Sequence, residues 1–206
     1  MTKFADVERF RKRFRTWIFS DISLCLNSGA SIGTGVLCCC AIDFLIRYYS
    51  GQPSFALNKA KYVEFMTRYF GNQYDPDEFY KLVRCGLLHG YSMQDKYLVV
   101  GSKAPWAQSL HMTKDTKHRT TVVNPFALYK DLKRVFNDYM ADLENGGKEL
   151  SQFRQVWTKA SFERPQMSSD WNKFKLMVPD HLRFECEKCG DFFSRPTNTH
   201  FRRCKG

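Results

Sequence analysis

Four successive stretches in the first 90 residues place apolar side chains at helical spacing, and each runs into a breaker. Val7, Phe10, Phe14, Trp17, Ile18 and Ile22 line one side of residues 7–26, which Asn27-Ser28-Gly29 closes. A second helix follows through the apolar run 30–46 to Tyr49, where Ser50-Gly51-Gln52-Pro53 stops it. Tyr62, Phe65, Met66, Tyr69 and Phe70 mark a third. Asp75-Pro76-Asp77-Glu78 reads as a helix start, with Asp as cap, Pro in the first turn and Glu at the capping-box position. The helix it opens carries Phe79, Leu82 and Val83 and ends at Gly90. Such stripes must be buried against one another, so the expected fold is a mainly α bundle.

The period changes after residue 90. Tyr97-Leu98-Val99-Val100-Gly101 and Thr120-Thr121-Val122-Val123 are β-branched or aromatic runs, with 108–112 read as a third short strand between them. Asn124-Pro125 opens another helix with Leu128, Leu132, Val135, Phe136, Tyr139 and Leu143 on one face, closed by Glu144-Asn145-Gly146-Gly147. A short helix over 148–160 and a linker over 164–170 follow. The expected organisation is a helical domain over 1–145 with short strands near 96–123, helix and linker over 146–180, and a small unit over 181–206.

The net charge of +11 favours a polyanionic partner, nucleic acid first among them. Lys3, Asp6, Glu8, Arg9 and Arg11 occupy the place of an apolar leader, so no secretory signal is expected. The run 30–46 is interrupted by Gly33, Thr34, Gly35 and Asp43 and falls short of the roughly 20 residues that span a bilayer. It reads as a buried helix, with no membrane partner. Cys25, Cys38, Cys39, Cys40 and Cys85 lie among apolar neighbours, and three consecutive cysteines cannot all be paired; a reducing, cytoplasmic setting is expected.

Cys186-x2-Cys189-x10-His200-x3-Cys204 is a metal pattern. A tight turn brings the first two sulfurs together, and one helical turn separates His200 from Cys204. Four borderline or soft ligands without a carboxylate make a closed, structural Zn2+ site, similar to a short zinc finger of the Cys-Cys-His-Cys type. Its basic residues fit nucleic acid, while the short middle segment fits protein contact equally well.

Arg84-Cys85-Gly86-Leu87-Leu88-His89 closes the fourth helix. Arg grips phosphate through parallel hydrogen bonds, and His exchanges a proton near pH 7. "AIDFLIRYYSG" over 41–51 and "YDPDEFYKLVRCGLLHGYSM" over 74–93 resemble the HEPN superfamily, whose members carry an Arg-x4–6-His motif at the end of a late helix. The resemblance covers roughly residues 5–145. It implies a HEPN-like helical bundle; the small β-hairpin insert and the C-terminal zinc knot, read from the residues, lie outside its core. It further implies a metal-independent endoribonuclease of phage defence or a toxin–antitoxin system, a homodimer, and an antitoxin or defence partner. Arg84 and His89 would be the catalytic pair. Members commonly place Asn or Asp after the Arg; this chain has Cys85 there, and some members with altered motifs bind RNA or partners without cutting.

Residues five apart on a regular helix point about 140° away from each other. Arg84 and His89 therefore converge only if the helix loosens near Gly86 or if two copies meet. Asp43 either orients this pair from the second helix or pairs with Arg47 four residues on. His89 reads equally as a core or capping histidine. Arg9, Lys12, Arg13 and Arg15 form either an RNA track or a solvated face. His111, His118 and His181 show no partner pattern. Gly29, Gly33 and Gly35 read as close helix packing, since no phosphate-loop Lys-Ser/Thr follows. A non-catalytic RNA- or protein-binding module and a DNA-contacting zinc-finger regulator are the competing functions.

Overall fold

The computed structural model describes residues 4–52, 58–91, 97–115 and 120–158, together with the backbone of 184–185 and 192–193. The chain divides into two compact units, Met1–Ala160 and Ser161–Gly206. The first is mainly helical. Helix α1 comprises Ala5–Arg13, a π-helical segment Phe14–Phe19, and Ser20–Asn27. Helix α2 is Ser31–Ser50 and α3 is Lys59–Tyr69. Helix α4 comprises Pro76–Glu78, a second π-helical segment Phe79–Arg84, and Cys85–Gly90. Strand β1 (Tyr97–Val99), short helix α5 (Pro105–Ser109), β2 (Lys114–Asp115) and β3 (Thr120–Val123) form the insert. Helices α6 (Pro125–Asn145) and α7 (Lys148–Trp157) complete the unit.

Helix α2 packs against α1, α3, α4, α6 and α7, which places it at the centre of the bundle. It is 20 residues long, longer than the sequence run suggested, and is apolar enough by length and composition to cross a membrane. Here its apolar side chains are core: Cys38, Cys39, Ile42, Leu45, Ile46 and Tyr48 are inaccessible to solvent. Aromatic rings from four helices fill the space around it. Phe14 of α1 stacks on Phe136 of α6 with centroids 4.4 Å apart, and Phe10 meets Tyr48 at 4.7 Å and Phe153 of α7 edge-on at 5.2 Å. Helix α7 thus belongs to the helical unit, which runs on past residue 145 because Leu150, Phe153 and Val156 complete its core. Of the three glycines read as packing sites, Gly35 fits that role: a Cβ there would lie 3.1 Å from Leu87 of α4. Gly29 instead takes positive φ after α1.

The insert differs from the expected hairpin. The strand order is β1-β3-β2, with β1 parallel and β2 antiparallel to β3. Residues expected as a third strand over 108–112 begin in α5, which Pro105 opens at its first turn. In the second unit, β4 (Phe184–Glu185) and β5 (Phe192–Phe193) pair antiparallel, Phe184 opposite Phe193.

Candidate active site

Asp75 starts α4 by accepting the Glu78 N–H at 2.9 Å, and Phe79, Leu82, Val83 and Leu87 bury one side of the helix. Its middle turn is π-helical, and the Cys85 N–H reaches back five residues to the Tyr80 carbonyl. Such single-turn bulges gather at functional sites. The loosening lies just before Arg84 and not at Gly86, where the sequence suggested it.

Arg84 reaches across to α2. Its Nη2 donates to Asp43 Oδ2 at 2.6 Å, and its Nε donates to Oδ2 at 3.0 Å and to Oδ1 at 3.3 Å. Asp43 therefore pairs with Arg84, and not with Arg47 four residues on. Both partners are mostly shielded, with side chains 14% and 20% exposed. The Arg84 guanidinium lies 5.4 Å from the Tyr80 ring centroid, and its Nη1 contacts Cys85 Sγ at 3.6 Å. A guanidinium has five N–H donors. Asp43 takes the edge formed by Nε and Nη2, which leaves one N–H on each of Nη1 and Nη2 along the end of the group. That remaining edge can hold two oxygens of a phosphate.

Burial raises the Asp43 carboxyl above its usual range, while the hydrogen bonds and charge of Arg84, and then the nearby His89, oppose the rise. Burial works against the charge on Arg84 too, and Asp43 more than offsets it. His89 is exposed, which removes the core-histidine reading, and Tyr91 caps the helix after it at φ 51°. Arg84 thus engages the Asp43 carboxylate directly, and His89 lies near enough for its charge to act on that carboxylate. Beneath them Tyr62 packs edge-on to Tyr80 at 5.0 Å, its hydroxyl buried without a hydrogen-bond partner.

The cysteines divide by depth. Cys38 and Cys39 are buried, and burial pushes both thiols up, as expected of core residues. Cys40 is exposed, contrary to its expected place in the core, because it lies on the outer side of α2. Cys25 and Cys85 are half-buried.

The four basic residues of α1 do not form one face. Arg9 and Lys12 are exposed. Arg13 lies against Trp17, 5.8 Å from its ring centroid, whereas Arg15 turns to α6 and donates to Asn137 Oδ1 at 3.0 Å. Cys186, Cys189, His200 and Cys204, expected as zinc ligands, lie outside the described residues; β4 and β5 flank the segment that contains Cys186 and Cys189.

A cluster centred on His111 has no sequence signature. The Asn124 N–H donates to His111 Nδ1 at 3.0 Å, so the ring proton sits on Nε2 and points at the Tyr74 hydroxyl 2.7 Å away. Tyr74 in turn donates to Asp131 Oδ2 at 2.7 Å. Three elements supply the chain of bonds, and only folding brings them together. Burial holds His111 down at about 4 despite Asp131. Comparison of the chain with family models, curated proteins and solved structures gave no match.

Proposed function

We propose that this protein is a metal-independent endoribonuclease of the HEPN type, with Arg84 and His89 as catalytic residues. The observation that supports it best is the Asp43–Arg84 pair: one guanidinium edge is fixed and the other is left for phosphate, beside an exposed imidazole. In the reaction the 2′-oxygen attacks phosphorus as its proton passes to one imidazole. The bond to the 5′-oxygen breaks as a second imidazole protonates that oxygen. Arg84 stabilises the charge on the non-bridging oxygens. Each chain offers one His89, so the proposal includes a homodimer that brings two together. Asp43 is a positioning residue, and a structural Zn2+ site of Cys186, Cys189, His200 and Cys204 completes the molecule. The proposed setting is a cytoplasmic defence or toxin–antitoxin system.

The deciding experiment incubates single-stranded RNA in EDTA with the wild type and with His89→Ala. The wild type is expected to leave 2′,3′-cyclic phosphate and 5′-hydroxyl ends and to spare DNA, which lacks the attacking hydroxyl. His89→Ala should be slower by about 10²–10⁴-fold. RNA bound but uncut by both proteins would favour the second reading, a binding module. The contact of Arg84 with Cys85, a position where HEPN members commonly carry Asn or Asp, is the observation on its side.

A further inference from the structure

Helix α4 runs past the residue best suited to end it. Gly90 is its last helical residue, yet the left-handed turn that closes it falls on Tyr91, at φ 51°. There the Tyr91 N–H donates to the Leu87 carbonyl at 3.3 Å. Helices ordinarily place glycine or asparagine at this position, because a Cβ is strained at positive φ. A bulky residue held there is an outlier, and such strain gathers at functional sites. Core packing does not account for it, since Tyr91 is 72% exposed. Its place in the chain does. Arg84, His89 and Tyr91 follow in that order along the end of α4. At 1.5 Å per residue, His89 stands about 7.5 Å along the axis from Arg84, and two residues of chain keep Tyr91 within about 7 Å of His89. An exposed aromatic ring thus adjoins the proposed catalytic pair, beyond the guanidinium edge that Asp43 leaves for phosphate.

We propose that Tyr91 is the base-stacking residue of this site: it holds an unpaired base of RNA next to the scissile phosphate and favours a purine there. A base on an aromatic ring gains affinity whatever its hydrogen-bonding edge, and only an unpaired base presents a free face. The contact therefore selects single strands, and the two fused rings of a purine cover more of the tyrosine than one pyrimidine ring. Glycine at position 91 would fit the same turn without strain but would offer no ring. The strain is thus tied to the side chain and not to the turn. The choice of RNA rests on the proposed ribonuclease activity.

The test uses the full chain and a fluorescein-labelled single-stranded oligoribonucleotide of mixed sequence, with cleavage followed at each position and binding read by anisotropy. Tyr91→Gly should raise KM by roughly 5–100-fold with kcat little changed, as expected for the loss of one base–aromatic stack. Its cuts beside purines and pyrimidines should become equally frequent. Tyr91→Phe should keep both affinity and preference, since the aromatic face remains. Tyr91→Asn, which also tolerates this backbone, supplies a second protein without the ring, and melting followed by circular dichroism verifies that each variant is folded. Folded Tyr91→Gly protein cutting with wild-type KM and base preference would overturn the stacking role and leave the nuclease. RNA left uncut by the wild type, yet bound more weakly by Tyr91→Gly, would leave the stacking role standing and remove the nuclease reading. RNA uncut and bound equally would remove both. Light scattering in which Tyr91→Gly alone separates a dimer into monomers would also overturn the stacking role, because the ring would then be a subunit contact.

Discussion

His111 and Asp43 are both shielded titratable groups, yet each answers to a different constraint. The neutral His111 ring is locked by what it accepts from Asn124 and what it gives to Tyr74, so adding a proton breaks the first bond. Its value falls from 6.5 to about 4 on folding. The unfolded chain therefore binds more protons between those values. The stabilisation is complete above pH 6.5 and is lost as pH falls towards 4, a loss of about 3 kcal/mol. Urea unfolding against pH should show this slope, and His111→Gln, although less stable overall, should flatten it. Matching slopes for both proteins would refute the assignment. Asp43 has a positional role in the proposed reaction. Asp43→Asn keeps the shape but removes the charge that fixes Arg84, so the cleavage rate should drop roughly 10–100-fold with RNA affinity little changed. Arg84→Lys should restore little over Arg84→Ala, because an ammonium lacks the planar fork. An equal fall in affinity and rate for Asp43→Asn would instead make Asp43 part of the binding surface.

Helix boundaries show where local sequence speaks clearly. Asp75 and Asn124 cap the helices they precede, and the Pro that follows each sits in the first turn. Asn124 does more than its motif suggests. Its Oδ1 accepts the Phe126 and Ala127 N–H groups while its Nδ2 donates to the Ser102 carbonyl at 3.0 Å, which ties the insert to α6. The residue is fully buried, so Asn124→Ala should cost about 2 kcal/mol by leaving donors and an acceptor unmet. Asn124→Ser should recover the cap but not the bond to Ser102, giving an intermediate loss in thermal denaturation. Full recovery by Ser would mean that the cap alone matters. What the sequence hid has physical reasons. In α1 the π turn moves the buried position from Trp17, which is 57% exposed, to Phe19, five residues after Phe14, a shift that regular helical spacing does not anticipate. Strand β2, Lys114–Asp115, lies at a sheet edge, where no apolar alternation is needed to mark it. Asp43 could be read as a partner of either neighbour because spacing places it near Arg47, while only the packing of α4 on α2 delivers Arg84.

At the scale of the whole molecule the two units pose separate problems of stability. The helical unit encloses a core of aromatic rings from α1, α2, α6 and α7, with Phe10, Phe14, Tyr48, Phe136 and Phe153 all buried, and needs no added cross-link. The Ser161–Gly206 unit is below the size at which a chain ordinarily buries enough apolar surface to fold unaided, and the proposed Zn2+ site would be the compensation. Binding of Zn2+ and folding of that unit should be one event, since the ligand set exists only when the segment closes around the ion. The full chain purified without chelator should carry one zinc per molecule, and Cys186→Ser with Cys189→Ser should abolish it. Because the described core of the helical unit is built from its own rings, Phe10, Phe14, Tyr48, Phe136 and Phe153, its thermal unfolding followed by far-ultraviolet circular dichroism should stay within about 0.5 kcal/mol of wild type. Cleavage of RNA in EDTA should persist in the same double variant, as the proposed chemistry uses no metal. Zinc content well below one equivalent in the wild-type protein would dismiss the metal site. Loss of helical stability on removing zinc would show that the two units fold as one.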